Sequence, residues 1–263
     1  MVSLIQLAAR HSDVAVLATG AATTVALALL VAFFAHRLWF GPRWDAIEEH
    51  NKLAEVVHAS LLAFTVFILA LVLADVRANL SRAGDAISRE GSVVARLDRD
   101  LSALGGAEAT RARQSLRDYV GAVTLDEWHS LSQAQASLSP AAARALATLL
   151  ADIHATIGVH PNAAGRLGGL VDRLEEYRQG RLETATKSVP DIFWWLIGAF
   201  LLGAMVLNGR HKLNLTALAL IAIHMAAIGM VLSMIIIMDE PFHGQTSIPA
   251  TPLTRALEQA PLP

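Results

Sequence analysis

Charge is distributed in blocks along this chain. Asp, Glu, Lys and Arg are absent from residues 14–36, 56–74, 192–209 and 213–238, windows of 23, 19, 18 and 26 residues. A helix needs roughly 20 apolar residues to cross a bilayer, so each window predicts a membrane-spanning helix. The spans fall at about residues 14–38, 54–75, 191–208 and 214–238. Between the two pairs, residues 76–189 carry a different pattern. Leu80, Ile87, Val94, Leu97, Leu101 and Leu104 recur at spacings of three, four and seven. Leu116, Val120, Val123 and Trp128 repeat the pattern, as do Leu146, Leu149, Leu150, Ile153 and Ile157, and then Leu167, Leu170, Leu174 and Tyr177. Each set makes one apolar stripe on an otherwise polar helix. No strand-like alternation stands out. The expected fold is all-α: two plus two transmembrane helices, with a helical domain inserted between the pairs.

Local signals set the boundaries. The first pair is joined through the turn signal Gly41-Pro42, and the second through the short run Asn208-Gly209-Arg210-His211-Lys212. Trp39, Trp44, Trp194 and Trp195 fall at span ends, where amphipathic rings settle at headgroup level. Pro190 suits the first turn of the third span. Helix breaks are expected at Gly105-Gly106, near residues 137–140 and near residues 158–161. No proline occurs between Pro42 and Pro140, so the second span is expected to run unbroken out of the membrane. Gly84 and Gly91 each weaken that helix by about 1 kcal/mol relative to alanine. The tail, residues 240–263, holds Pro249, Pro252, Pro261 and Pro263 and is expected to be extended, wrapping an adjacent subunit.

Composition agrees and narrows the classes. The chain is 54% hydrophobic and 17% charged, whereas soluble domains carry about 25% charge. Of its charged residues, 14 Lys/Arg and 13 Asp/Glu lie within residues 76–189, a density ordinary for a soluble domain. The excess hydrophobicity therefore belongs to the spans. Lack of cysteine excludes a disulfide framework, thiol catalysis and Cys-ligated zinc. A net charge of −2 gives no reason to expect nucleic acid. Residues 1–13 carry only Arg10 as a basic residue and show no small-residue cleavage site, so the first span is expected to be retained rather than cleaved as a signal peptide.

Orientation follows from the basic residues near the spans. Arg10, Arg77, Arg82, Arg89, Arg173, Arg178, Arg181, Lys187 and Arg255 lie on the side shared by the termini and the middle domain. Arg37, Arg43, Lys52, Arg210 and Lys212 lie on the side of the short connections. Nine against five favours a cytoplasmic middle domain and cytoplasmic termini.

Several patterns together resemble the bestrophin-like family of bacterial membrane proteins. His50-Asn51 opens the second span, followed by Ala86-Ile87-x-x-Glu90, Arg96-Leu97, Arg117-x-Tyr119-Val120 and Glu127-Trp128. The run at residues 178–182, Pro190 and the Trp194-Trp195 pair precede or open the third span. Asp239-x-Pro241-Phe242-x-Gly244 closes the fourth. The resemblance covers residues 49–252. It implies a four-span helical protein and, through the more distant bestrophins, a ring-shaped homo-oligomer such as a pentamer, with the second span lining an ion pore. Bestrophins follow their Pro-Phe-Gly turn with an acidic, calcium-binding cluster. Here Phe242-His243-Gly244-Gln245-Thr246-Ser247 follows, with no acid before Glu258, so calcium gating by that clasp is not expected.

Asn51, Glu55, His58, Leu62, Thr65, Leu69 and Val72 share one face of the second span, at 4-3-4-3-4-3 spacing. The stripe is polar at its start and aliphatic further on, as a pore requires: groups that replace ion hydration, then an apolar constriction. In this reading Glu55, His58 and Thr65 face a conduit, and Leu69 and Val72 form a collar. A Glu55 ring favours cations, whereas protonated His58 opposes them. The competing reading places Glu55 and His58 in the headgroup zone and bonds Thr65 to its own helix or a neighbour.

His224 lies near the middle of the fourth charge-free window, where a charged imidazolium is costly. A neutral ring bonded to Thr23 or Thr24 is the first expectation, and a proton relay the sharper one. Small residues of the first span (Ala15, Ala18, Gly20, Ala21, Ala22, Ala26) suit close helix packing. Asp126-Glu127-Trp128 reads as a packing feature, because neighbours diverge by about 100° on a helix and do not converge on a substrate. Glu48-Glu49-His50 has the side chains to touch a cation but reads first as a solvated loop, and the Asn-x-Ser/Thr matches at Asn79 and Asn214 read as chance. No phosphate loop, metal-ligand spacing or nucleophile–base set is present, so neither a cofactor nor a resident metal is expected. The expected partners are the bilayer, further copies of the chain and inorganic ions. The expected function is an oligomeric ion channel; the alternative is a non-conducting membrane scaffold or sensor whose helical domain binds partners.

Overall fold

The computed structural model describes residues 12–40, 44–132, 139–212 and 214–258, with backbone alone for 44–50. Met1–His11, the Gly41-Pro42 turn, Arg43, the side chains of Trp44 and Glu48-Glu49-His50, residues 133–138, Leu213, Pro261 and Pro263 lie outside that description. Among the described residues the chain is helical, without a strand. The order is α1 (Asp13–Ala35, continuing as a π turn, His36–Phe40), α2 (Trp44–Leu104), α3 (Gly106–Ala122) and a π segment (Val123–Glu127) leading into α4 (Trp128–Leu131). There follow α5 (Pro140–Val159), a 3-10 turn (Pro161–Ala163), α6 (Ala164–Thr186), α7 (Asp191–Asn208), α8 (Leu215–Met238) and α9 (Thr251–Glu258).

Helix starts have local causes. The side chains of Ser12, Ser139 and Asn214 accept from the backbone N–H of Ala15, Ala142 and Ala217 at 3.3, 3.2 and 2.9 Å, each satisfying an amide that has no intrahelical partner. Capping therefore explains Asn214 without a glycan. Asn79 is likewise structural: it is buried, and its amide donates to the Thr184 carbonyl at 3.1 Å. Gly105 and Gly106 break the chain between α2 and α3 at φ values of +65° and +81°, conformations that residues with a Cβ rarely adopt.

Two compact units result. The first comprises residues 12–78 and 188–239. Its core packs Ala28 of α1, Ile68, Leu69 and Val72 of α2, Ile197, Leu201 and Met205 of α7, and Ile221, Met225 and Ile228 of α8. Large apolar side chains nevertheless remain exposed on every one of these helices, among them Phe33, Phe67, Trp195 and Ile223. That is the surface a lipid-facing helix presents. Gly20 and Gly229 mark the crossing of α1 and α8. A Cβ on Gly229 would stand 2.7 Å from the Gly20 carbonyl oxygen and 2.9 Å from Ala21 Cα. Of the small residues in the first span, Gly20 and Ala21 face α8, whereas Ala18, Ala22 and Ala26 are exposed.

The second unit comprises residues 79–187 and 240–258. Its main core joins Val94, Leu97 and Leu101 of α2 to Leu116 and Val120 of α3, Leu149 and Ile153 of α5, and Leu167 and Leu174 of α6. The apolar stripes read from the sequence are its contributors. Among the described residues five helical segments are long and apolar enough to cross a membrane, one more than the sequence windows give. The additional one, Pro140–Val159, contributes its apolar face to this core and carries Arg144 and Asp152, the latter accepting from the Ser115 hydroxyl.

The tail corrects one expectation. Residues 251–258 form α9 and pack on the second unit of the same chain, with Leu253 and Ala256 buried in its core. Gly91 makes room for this: a Cβ there would lie 2.6 Å from the Pro252 carbonyl oxygen. Around Gly84 nothing lies within 4 Å. Thermal unfolding of detergent-purified protein should therefore separate the two glycines. Gly84→Ala is expected to stabilise by about 0.5–1 kcal/mol through helix propensity, while Gly91→Ala loses that gain by displacing α9.

Candidate functional site

The stripe on α2 divides into three environments. Asn51 and Glu55 are exposed at its start. His58 and Leu62 are half-buried and line a cavity within the first unit. Thr65, Leu69 and Val72 are buried against the other helices of the same unit, and the Thr65 hydroxyl donates to the Leu61 carbonyl at 2.8 Å. The last three therefore do not face open space within one chain. The reason is packing: their face of α2 is the one that meets α7 and α8. Away from that face α2 is free, with Val56, Ser60, Ala63, Phe67, Ala70 and Ala74 exposed at the same alternating spacing.

The cavity, of ≈ 270 Å³, brings His58 together with His224 of α8 and with Asn208 and His211 at the α7–α8 connection. Sequence reasoning singled out His58 and His224 separately, and the helix phase gave no sign that they share a wall. The pairing of His224 with Thr23 or Thr24 does not form. Those hydroxyls donate instead to the Thr19 and Gly20 carbonyls of their own helix, at 2.7 and 2.8 Å. Two further contacts pin the connection: His36 Nδ1 meets the Gly209 carbonyl at 2.8 Å, and Arg210 Nη1 donates to the Ala54 carbonyl at 3.1 Å.

A second cluster is built in the second unit from residues that are far apart in sequence. The π segment ahead of Trp128 adds a residue to one helical turn, its N–H bonding to the Val123 carbonyl five residues back. That turn directs Glu127 into the core while Asp126 stays exposed. Arg181 of α6 is fully buried between two carboxylates. Its Nε donates to Glu90 Oε2 at 2.8 Å, and its Nη2 donates to Glu127 Oε1 at 2.7 Å. The Tyr119 hydroxyl donates to Glu90 Oε1 at 2.7 Å, and Arg178 donates to Glu127 Oε2 at 2.7 Å. Two carboxylates and two guanidiniums balance.

The Arg181 cation also lies 5.4 Å from the Trp128 ring centre, within cation–π range. Burial disfavours that cation, but Glu90 and Glu127 outweigh it and hold its pKa above the ordinary arginine range. Burial, then the Glu90 charge, pushes the Tyr119 phenol well above its usual value, so it keeps its proton and donates. This arrangement holds helices in register. It has no open face for a substrate, and the reading of Asp126-Glu127-Trp128 as packing rather than acid chemistry fits it.

After α8, Asp239 belongs to the first unit and the residues that follow it to the second. Asp239 accepts from the Val189 N–H at 3.1 Å, fixing the approach to α7. The Pro241 carbonyl accepts from the Ile248 N–H at 2.9 Å, and Gly244 turns at φ +81°. Phe242 is buried with Ile87, Leu131 and Leu182 and meets Trp128 edge-on at 5.2 Å. His243 Nδ1 contacts the Ser132 carbonyl.

Comparison with known proteins adds one finding. The family model of the bestrophin-like domain matches residues 22–253, most of the chain. The chain belongs to the bestrophin-like family. No curated protein and no solved structure matches it. With its apolar helices, this bestrophin-like chain is an integral membrane protein. The motifs that carried the resemblance are, in large part, the members of the buried cluster: Glu90, Tyr119, Glu127, Trp128, Arg178 and Arg181. Sequence reasoning found these residues but not their convergence. Asn208, His211 and Phe67 were missed as site candidates. Two of them lie in a polar connection that reads as an ordinary hairpin, and Phe67 is one apolar residue among many.

Proposed function

We propose that this bestrophin-like protein is a homo-oligomeric ion channel of the inner cell membrane, with four spans per chain and α2 lining the pore. In this reading the spans are α1, the first part of α2, α7 and α8, while the second unit and both termini are cytoplasmic. A pentameric ring gives α2 an axial position. The observation that carries the reading is the unpacked side of α2. A helix that begins with the exposed polar residues Asn51 and Glu55 continues into an exposed face of small residues interrupted by Phe67.

Polar groups at the mouth replace part of an ion's hydration, and an apolar ring further in gates by dewetting. Glu55 supplies the first element. Because Leu69 and Val72 are packed within the chain, Phe67 is the better candidate for the second. His58 then acts from the cavity behind the pore wall rather than from the axis.

Ion flux from liposomes reconstituted with the full chain tests the assignment. Glu55→Ala is expected to lower the cation-to-anion permeability ratio. Phe67→Ala is expected to raise flux several-fold by removing the constriction. Wild-type conduction left unchanged by both substitutions would remove α2 from the pathway.

A further inference from the structure

We propose that the cavity between α2, α8 and the α7–α8 connection binds an oxyanion, in the form of the phosphodiester headgroup of an acidic phospholipid. This goes beyond conduction and does not depend on it. The polar side chains on the wall are an amide and three imidazoles: Asn208, His58, His211 and His224. All can donate, and among the described residues no carboxylate lines the space.

Asn208 is only 4% exposed, and its Nδ2 has no hydrogen-bond partner within the chain. His58 Nε2 is buried and unpartnered in the same way. Buried donors of this kind are costly when left without a partner, and an oxygen-rich ligand relieves that cost. A fixed cation stands close by. Arg210 is 6% exposed, lies within electrostatic range of His58 and His211, and keeps its Nε unpartnered. The opposing charge felt at Arg210 and His211 is Glu55, which is exposed. The imidazoles do not converge as metal ligands: no group of three or more His, Asp or Glu among the described residues is arranged to hold a metal ion.

The remaining wall distinguishes a lipid from a free ion. Leu62, Leu220, Ile221 and Met225 line it, and Leu220 and Ile223 carry the apolar surface outward, 65% and 70% exposed. A headgroup phosphate on the donors leaves its acyl chains lying along that surface. The volume, ≈ 270 Å³, is near the lower end of ligand pockets and suits a headgroup rather than a whole lipid.

The test uses the full chain, purified in detergent and depleted of lipid. Binding is followed by native mass spectrometry and thermal shift with dioleoyl phosphatidylglycerol, dioleoylglycerol and inorganic phosphate as separate probes. Phosphatidylglycerol is expected to bind and raise the melting temperature, while dioleoylglycerol does not. Asn208→Leu is expected to weaken that binding at least tenfold. Leu220→Trp fills the apolar wall from an exposed position and is expected to do the same without disturbing the donors, which covers the case in which the Asn208 variant fails to fold. Equal binding of dioleoylglycerol, or phosphatidylglycerol binding untouched by either variant, would overturn the site. Stabilisation by inorganic phosphate equal to that by the lipid would overturn the lipid as occupant in favour of a free oxyanion.

Discussion

Replacing Arg181 by methionine is expected to destabilise the second unit by about 3–5 kcal/mol, the usual cost of removing one partner from a buried ion pair. The size follows from what remains. Glu90 and Glu127 are fully buried. Without the guanidinium, Glu90 keeps only the Tyr119 hydroxyl and Glu127 only Arg178. The unscreened charge, rather than the lost packing volume, dominates. A compensated variant separates the two: Glu90→Leu, Glu127→Leu and Arg181→Met together remove all three buried charges and are expected to recover most of the loss, since apolar replacement of a whole buried network is often neutral or stabilising. Trp128 fluorescence reports both, because its ring lies against Arg181 and Phe242. A single variant as stable as wild type would mean that the cluster is open to water.

The second large effect is expected in the first unit. Gly229→Val should disrupt the crossing of α1 and α8, with a cost at or above the 1–3 kcal/mol typical of overpacking. The obstacles are backbone atoms, the Gly20 carbonyl and Ala21 Cα, together with the Thr24 hydroxyl, so rotamer changes cannot relieve all of them. Between apolar helices in lipid, close backbone approach is a principal source of attraction, and separating α1 from α8 forfeits it. Loss of monodisperse material on size exclusion, with the second unit still protease-resistant, is the expected signature. Unchanged behaviour would show that α1 does not pack there.

The helices were legible because their causes are local. The charge-free windows end within a few residues of α7 and α8, and the lack of proline after Pro42 anticipated the unbroken α2, Trp44–Leu104. Side-chain direction was less legible. The stripe through Leu69 and Val72 is amphipathic by spacing, but spacing alone does not say whether the marked face meets a neighbour or a conduit. Here it meets α7 and α8. Long-range pairing was hidden for a similar reason. Arg181 and Glu90 are 91 positions apart, and only the fold brings them to 2.8 Å. The tail misled because its prolines suggest an extended chain, yet Pro252 falls in the first turn of α9, where a missing N–H is tolerated.

Conduction itself is tested most directly by ion release. KCl-loaded liposomes holding the purified full-length chain, at dilutions down to less than one oligomer per vesicle, are assayed with ion-selective electrodes. An oligomeric channel empties a fraction of vesicles that rises with protein until every vesicle holds one pore. Release no faster than from protein-free liposomes, from an oligomer shown to be intact, would contradict the channel reading and favour a membrane scaffold.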